Sequence, residues 1–265
     1  MFEFAANCST LFRDHPFLNR PELAHSAGFS LVEFWWPFTG PSPSASEAAE
    51  LVDSLAEASV SVACMNLFAG DLSAGERGIL NNPPRVEEFR TAVAAAASLS
   101  AGTGCRRFNA LYGLEPERPS REWDACAMDN LAFACESLAA VGAALVIEPL
   151  CRTPRFGLPS AEAALAVVDA LRRDGHANVG LLADLYQFSH VNMDIPRFIR
   201  EHADRIWHVQ LADDPGRGAP GTGQAPVFDW LAALVDIGYT GAVGLEYMDT
   251  PGVDPFDWIP RWRAT

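Results

Sequence analysis

The chain has 265 residues, of which 49% are hydrophobic, and this length fits one large domain or two small ones. No stretch approaches the roughly 18 consecutive apolar residues that a membrane helix needs. All 19 basic residues are arginine, so Schiff-base, lysine-anchored pyridoxal phosphate, Walker A and lysine-base chemistries are excluded. With 34 acidic residues the formal charge is −15, which disfavours a nucleic-acid partner because phosphate backbones are repelled.

The amino terminus and the cysteines favour a cytoplasmic protein. The opening MFEFAANCST has no basic segment and no signal cleavage site. The six cysteines form no C-x-x-C pair, so free thiols are expected rather than disulfides or a zinc ribbon.

Short β-rich apolar runs alternate with longer helical stretches along the whole chain. The predicted strands are Phe2–Asn7, Leu31–Phe34, Ser61–Asn66, Arg107–Ala110, Ala144–Glu148, Val179–Asp184, Ile206–Gln210 and Ala242–Tyr247. The predicted helices are Pro21–Ala27, Ala45–Ala58, Arg85–Ser98, Ser120–Val141, Ala161–Arg173, Ile195–His202 and Val227–Ile237. Ser160 is the expected N-cap of the helix that follows it.

This alternation predicts parallel strands joined by right-handed crossovers. Eight such units in about 260 residues fit a single (β/α)8 TIM barrel domain of the α/β class spanning residues 1–265. A doubly wound open sheet is the alternative, but no glycine-rich dinucleotide fingerprint follows the first strand. The glycine- and proline-rich segment Asp213–Ala225 follows the seventh strand and is expected to be a substrate loop.

Polar side chains end four consecutive predicted strands. They are Glu148, Asp184, Gln210 and Glu246, spaced 36, 26 and 36 residues apart, which is about one βα unit at each step. In a barrel they would meet at the carboxyl-end rim. Three carboxylates share a site as anions only when something positive lies among them. The pattern therefore predicts one divalent cation, Mg²⁺ or Mn²⁺, with Co²⁺ as a third option; strand-end residues that merely cap loops are the alternative.

Several segments carry a resemblance to a known family. They read FAANCSTLF, GFSLVEF, NLFAGDLSAGERG, IEP, ADLY, HVQLAD, DPGRGAPGTG and GYTGAVGLEY, in that order along nearly the whole chain. This set resembles the hydroxypyruvate isomerase family of the xylose-isomerase-like barrels, which also include sugar epimerases and endonuclease IV. The resemblance implies that Glu148, Asp184, Gln210 and Glu246 hold the metal and that Glu148 and Glu246 are the catalytic acid and base.

The sequence departs from that family's pattern around the substrate. Gln187 stands where the family usually has histidine, and glutamine cannot carry a proton at neutral pH. His190, three residues further along the chain, is a candidate to replace that histidine from a loop. Gly218 and Ala219 replace a histidine and a glutamate of the family's loop, and Cys151 stands where relatives usually place asparagine. These departures leave the four metal ligands intact and alter the substrate contacts.

Other residues are candidate substrate ligands. His208 precedes Gln210 by two positions and points the same way, so it would touch substrate or brace a carboxylate. Arg217 is a candidate anchor for an anionic group. Asn66 ends the third strand and would line the pocket or plug the barrel. Glu33 ends the second strand, and a structural role is favoured for it.

The expected activity is isomerisation of a small 2-oxo acid or related sugar. The specific reaction expected is the conversion of hydroxypyruvate to tartronate semialdehyde. A 2-oxo-tetronate isomerase or a ketose 3-epimerase would use the same enediolate chemistry. A barrel that binds a metabolite without turnover is the alternative of another class. A DNA-repair endonuclease on this barrel would need three metals and many histidine ligands. The chain has only six scattered histidines and a charge of −15, which disfavour that activity. The sequence leaves a homo-oligomer open.

Overall fold

The computed structural model describes residues 2–117, 120–250 and 252–264. Eight parallel strands pair in chain order and close into a barrel, which confirms the predicted (β/α)8 fold. The strands are β1 (Glu3–Asn7), β2 (Leu31–Phe34), β3 (Ser61–Asn66), β4 (Arg107–Ala110), β5 (Ala144–Ile147), β6 (Val179–Asp184), β7 (Ile206–Leu211) and β8 (Ala242–Leu245).

Helices fill the connections between the strands, and one more helix follows the last strand. They are α1 (Arg20–Ser26), α2 (Ala45–Glu57), α3 (Val86–Thr103), α4 (Arg121–Ala139), α5 (Ala161–Arg173), α6 (Leu185–Ser189), α7 (Ile195–Glu201), α8 (Val227–Asp236) and α9 (Trp258–Arg263). Their inner faces bury large side chains such as Phe89, Leu131 and Leu231 against the barrel. This layer of apolar contacts is the main stabilising interior of the fold.

Local sequence signals explain where the helices begin and end. Ser44 and Glu47 form a reciprocal capping box at the start of α2. Ser160 accepts a hydrogen bond from the Ala163 N–H and caps α5, as predicted. Helix α3 continues past the predicted end at Ser98, because the first left-handed residue, Gly104, lies after Thr103.

Two short helices were not predicted from the sequence. Helix α6 begins directly after β6 because the side chain of Asp184 accepts a hydrogen bond from the Tyr186 N–H. Helix α9 has only six residues and follows the last strand. Within the ranges that the structure describes, no helix is both long and apolar enough to cross a membrane.

The strand register brings the polar strand ends to one face of the barrel. The Cα of Asp184 pairs with that of Gln210 on β7. Gln210 in turn pairs with Gly244 on β8, two residues before Glu246. On the other side, Ile147 pairs with Leu181, and Glu148 follows at the rim.

Candidate active site at the carboxyl ends of the strands

Three buried carboxylates lie together at the carboxyl-end face. Glu148, Asp184 and Glu246 each place one oxygen within 4.8 Å of the others, and each is at most 5% exposed. They extend from β5, β6 and β8, whose ends converge at this rim. The structure thus brings together the three acidic residues that the sequence singled out.

Asp184 has one oxygen in use and one without a hydrogen bond. Its Oδ1 accepts from the Tyr186 N–H at 3.0 Å, the contact that caps α6. Its Oδ2 is buried and has no hydrogen-bond partner among the described residues, and Arg217 Nη2 lies 3.7 Å from it. A buried carboxylate oxygen without a partner is costly and fits a position that receives a cation.

The amide of Gln210 is held in one orientation. Its Nε2 donates to Glu33 Oε1 at 3.0 Å, and its Oε1 is buried without a hydrogen-bond partner among the described residues. The reverse orientation would place the amide oxygen against the Glu33 carboxylate and is disfavoured by repulsion. Gln210 therefore has an amide oxygen left over as an acceptor on the strand beside Asp184.

Glu33 is the hub of the network that holds Gln210. Asn7 Nδ2 donates to its Oε1 at 2.8 Å, and His208 Nε2 lies 2.6 Å from its Oε2. Space for this carboxylate comes from Gly244 on β8, where a Cβ would lie 2.1 Å from Glu33 Oε2. Glu33 is 1% exposed, so its contacts are structural, as the sequence favoured.

Two glutamates of the cluster are fixed by neutral and charged donors. Trp35 Nε1 donates to Glu246 Oε1 at 2.7 Å, and Arg217 Nη2 donates to Glu246 Oε2 at 2.7 Å. Asn109 Nδ2 donates to Glu148 Oε2 at 2.7 Å. Each glutamate is therefore oriented by a side chain from another strand or loop of the barrel face.

Burial changes the acidity of the cluster. It raises the pKa of Glu246 to about 7, against the opposing effect of Arg217. The pKa of Glu148 is raised well above its usual range, mainly by burial and secondly by the nearby negative charges of Glu246 and Asp184. Burial also raises the pKa of Asp184, although Arg217 and backbone donors act against it. The single positive charge of Arg217 does not offset three buried carboxylates. The carboxylates therefore favour their protonated forms unless a further cation is present.

The donor set fits a divalent cation. Three carboxylates and the free amide oxygen of Gln210 are all hard oxygen ligands, which suit Mg²⁺ or Mn²⁺. A cation among them would also neutralise the charge that burial disfavours. The three acidic residues can hold an ion; Gln210 as a fourth ligand remains a prediction.

The two glutamates line a cavity of about 240 Å³. This volume is below the roughly 300–1,000 Å³ of drug-sized sites, so it suits a small metabolite. The other lining residues are Trp35, Asn66, Leu72, Arg77, Leu111, Leu150, Thr153, Gln187 and Arg217.

The structure places three of the four predicted substrate ligands in this cavity. They are Asn66, Gln187 and Arg217. The Gln187 side chain is anchored through its Oε1, which accepts from the Arg152 N–H at 3.1 Å. His208 lies elsewhere: it is fully buried and contacts Glu33, so it braces a carboxylate and is not brought to the cavity.

Sequence reasoning missed two residues of the site. Asn109 was hidden inside the fourth predicted strand, although a polar residue in a buried strand was a usable signal. Arg77 was contained in the GDLSAGERG segment but was not singled out. Its position in the cavity depends on how the loop after β3 folds back over the barrel.

Fold and site together define a (β/α)8 barrel with a buried carboxylate centre on the face where such barrels carry their active sites. The family model described as xylose isomerase-like TIM barrel matches residues 21–263. The chain belongs to this family.

Individual relatives are similar over nearly their whole length. A Streptomyces coelicolor protein is 42% identical, over 97% of this chain and 95% of its own. The hydroxypyruvate isomerase of Escherichia coli is 36% identical, with 93% of each chain covered. The 2-oxo-tetronate isomerase of Haemophilus influenzae is 31% identical, over 99% of this chain and all of its own.

A solved structure from Brucella melitensis, titled as a family 2 AP endonuclease, has a TM-score of 0.88 and 30% identity. It covers 98% of this chain, and the match covers 99% of that chain.

Proposed function

We propose that this chain is a metal-dependent isomerase of a small 2-oxo acid that converts hydroxypyruvate to tartronate semialdehyde. The observation that carries the proposal is the pairing of Glu148 and Glu246 on one small cavity, both with raised pKa values. The pKa of Glu246, about 7, suits a group that both takes and gives a proton, and the pKa of Glu148 is raised in the same direction by burial. Relatives named hydroxypyruvate isomerase and 2-oxo-tetronate isomerase support the same reaction class.

The reaction moves hydrogen between two neighbouring carbons. One glutamate removes a proton from C3 of hydroxypyruvate, which leaves an enediolate across C2 and C3. The other delivers a proton to C2, and the hydroxyl proton passes from the C3 oxygen to the C2 oxygen. Proton exchange with solvent water then returns the two glutamates to their starting states. No oxidant or reductant is consumed, because the product has the same atoms as the substrate.

Some residues of the site orient the two glutamates, and others would hold the cation. Trp35 and Arg217 hold the carboxylate of Glu246, and Asn109 holds that of Glu148, so both face the cavity in fixed positions. A divalent cation held by Glu148, Asp184, Gln210 and Glu246 would polarise the carbonyl and stabilise negative charge on its oxygen.

A longer acid is the second candidate substrate. A 2-oxo-tetronate has one more carbon and undergoes the same proton transfer, and a relative of that name matches the chain end to end. A nuclease receives less support, since the metal-binding group found among the described residues contains three carboxylates and no histidine. The charge of −15 also opposes DNA binding.

The cellular setting is part of the same proposal. All six cysteines are free, five of them buried, which supports a reducing compartment such as the cytoplasm.

The proposal is tested by following hydroxypyruvate by proton NMR with metal-stripped protein and with the same protein after Mn²⁺ is added. Product should form only after metal is restored. Glu246→Gln should lose about 10²–10⁴-fold in rate. Glu57→Gln, which changes an exposed carboxyl at the end of α2, should match the parent. Full activity of thoroughly stripped protein would refute the metal dependence. Absence of turnover on C3 and C4 2-oxo acids would refute the assigned reaction.

A further inference from the structure

Arg77 brings to the cavity a positive charge that no ion pair compensates among the residues that the structure describes. Its Nη1 donates only to backbone oxygens, those of Leu72 at 3.0 Å and Glu76 at 2.6 Å. Among the described residues it forms no ion pair, and its Nε and Nη2 groups have no partner. A guanidinium with unused donors on a cavity wall is suited to a carboxylate, which it can bind through two parallel hydrogen bonds.

The loop holds Arg77 in place from both sides. On one side, Glu76 pairs with Arg85 and accepts from the Asp71 N–H at 2.6 Å. On the other, Gly78 N–H donates to Ala69 O at 2.9 Å.

Gly78 is also pressed against the loop after β4. Its φ is +113°, and a Cβ there would lie 2.1 Å from the Leu111 oxygen, so glycine is required. Arg77 is therefore attached to a constrained segment, which limits the ordering that ligand binding would require.

Arg217, the arginine that the sequence favoured as an anchor, is already engaged. Its Nη2 lies 2.7 Å from Glu246 Oε2 and 3.7 Å from Asp184 Oδ2, and its Nε donates to the Glu246 backbone oxygen. Glu246 is the main reason that the pKa of Arg217 is raised. Its charge is thus matched by the carboxylates of the cluster, and it serves to orient Glu246.

We propose that Arg77 is the specificity-determining residue that binds the substrate's carboxylate and so selects 2-oxo acids over neutral ketoses. This inference rests on the proposed function for the identity of the substrate. The anchoring itself is a binding property, since an acid that enters a site already containing three carboxylates needs a cation of its own.

The test compares two ligand pairs that differ only in the acid group. Hydroxypyruvate and dihydroxyacetone, in which a hydroxymethyl group replaces the carboxylate, are used for turnover by Mn²⁺-loaded protein. D-glycerate and glycerol, which do not isomerise, are used for calorimetric binding. In Arg77→Gln, KM for hydroxypyruvate should rise roughly 10- to 150-fold, the loss expected for a charge-assisted contact. D-glycerate affinity should fall to a similar extent, and kcat/KM for dihydroxyacetone should stay within about twofold of the parent.

Two further arginine variants make the result specific. Arg217→Gln should lower kcat on both substrates alike, because it releases Glu246. Arg13→Gln, an exposed arginine in the loop after β1, should match the parent. Arg77→Lys keeps the charge but loses the forked geometry, so it should retain part of the preference for the acid; it also replaces Arg77→Gln if that variant does not fold.

The outcomes separate the two proposals. Weakened D-glycerate binding in Arg77→Gln, with no turnover by any form, would support the anchor and refute the isomerase. Equal effects of Arg77→Gln on acid and neutral ligands would overturn the anchor. An acid-selective loss in Arg217→Gln in place of Arg77→Gln would also overturn it.

Discussion

Replacing Glu33 tests whether the network beneath the site orients Gln210. The Glu33 carboxylate accepts from Asn7 and Gln210 and contacts His208, at 2.8, 3.0 and 2.6 Å. Glu33→Ala would leave these three buried donors without an acceptor and would free the Gln210 amide to turn. Glu33→Gln keeps an oxygen facing Asn7 and Gln210 and turns its NH₂ group toward His208.

The two variants differ in what they leave unpaired. An unsatisfied buried donor costs about 1–3 kcal/mol, so Glu33→Ala should lose at least about 3 kcal/mol of unfolding free energy. In Glu33→Gln, His208 must accept at Nε2 and carry its proton on Nδ1, which has no hydrogen-bond partner among the described residues. One unpaired donor then predicts a loss of about 1–3 kcal/mol.

Urea unfolding measures the stability change, and electron paramagnetic resonance of free Mn²⁺ measures metal affinity. Loss of a residue that orients a ligand typically weakens metal binding 10- to 100-fold, and we expect this for Glu33→Ala and a smaller loss for Glu33→Gln. Parent-like Mn²⁺ affinity in a folded Glu33→Ala protein would refute the claim that Glu33 orients a metal ligand.

Three more predictions concern the acidic cluster and the Glu33 network beneath it. Asp184→Asn should lose activity in proportion to lost metal and recover in excess Mn²⁺, followed by titration of bound metal. Gly244→Ala should lower Tm, measured by scanning calorimetry, because its Cβ would lie 2.1 Å from Glu33. Metal-free protein should lose stability as pH rises from about 4.5 through about 7, since the folded state keeps the protons of Glu246 and Glu148 after the unfolded state has released them. That slope in Tm should flatten in Glu246→Gln.

The sequence predicted the barrel and the acidic cluster because both depend on regular spacing. Strand–helix alternation determines the fold class. Residues at successive strand ends meet at one rim of the barrel whatever conformation the loops adopt. Glu148, Asp184 and Glu246 could therefore be chosen from their positions alone, and the structure places them within 4.8 Å of one another.

The contacts between the strands could not be chosen in the same way. Spacing shows that His208 and Gln210 share a face of β7 but not that Glu33 reaches both from β2. The place of Arg77 depends on a loop whose course is set by Gly78 and its close approach to Leu111. Such long-range packing is determined by the assembled fold and has no periodic signal in the sequence.

The most direct test of the two-glutamate reaction is turnover of hydroxypyruvate in D₂O by Mn²⁺-loaded parent protein and Glu246→Gln. The parent should place solvent deuterium on C2 of the product faster than a protein-free control. Glu246→Gln should retain measurable Mn²⁺ while losing about 10²–10⁴-fold in rate, the contribution that general acid–base catalysis typically makes. Full activity of Glu246→Gln would contradict the two-glutamate reaction. Complete transfer of the C3 hydrogen to C2 without any solvent deuterium would also contradict it.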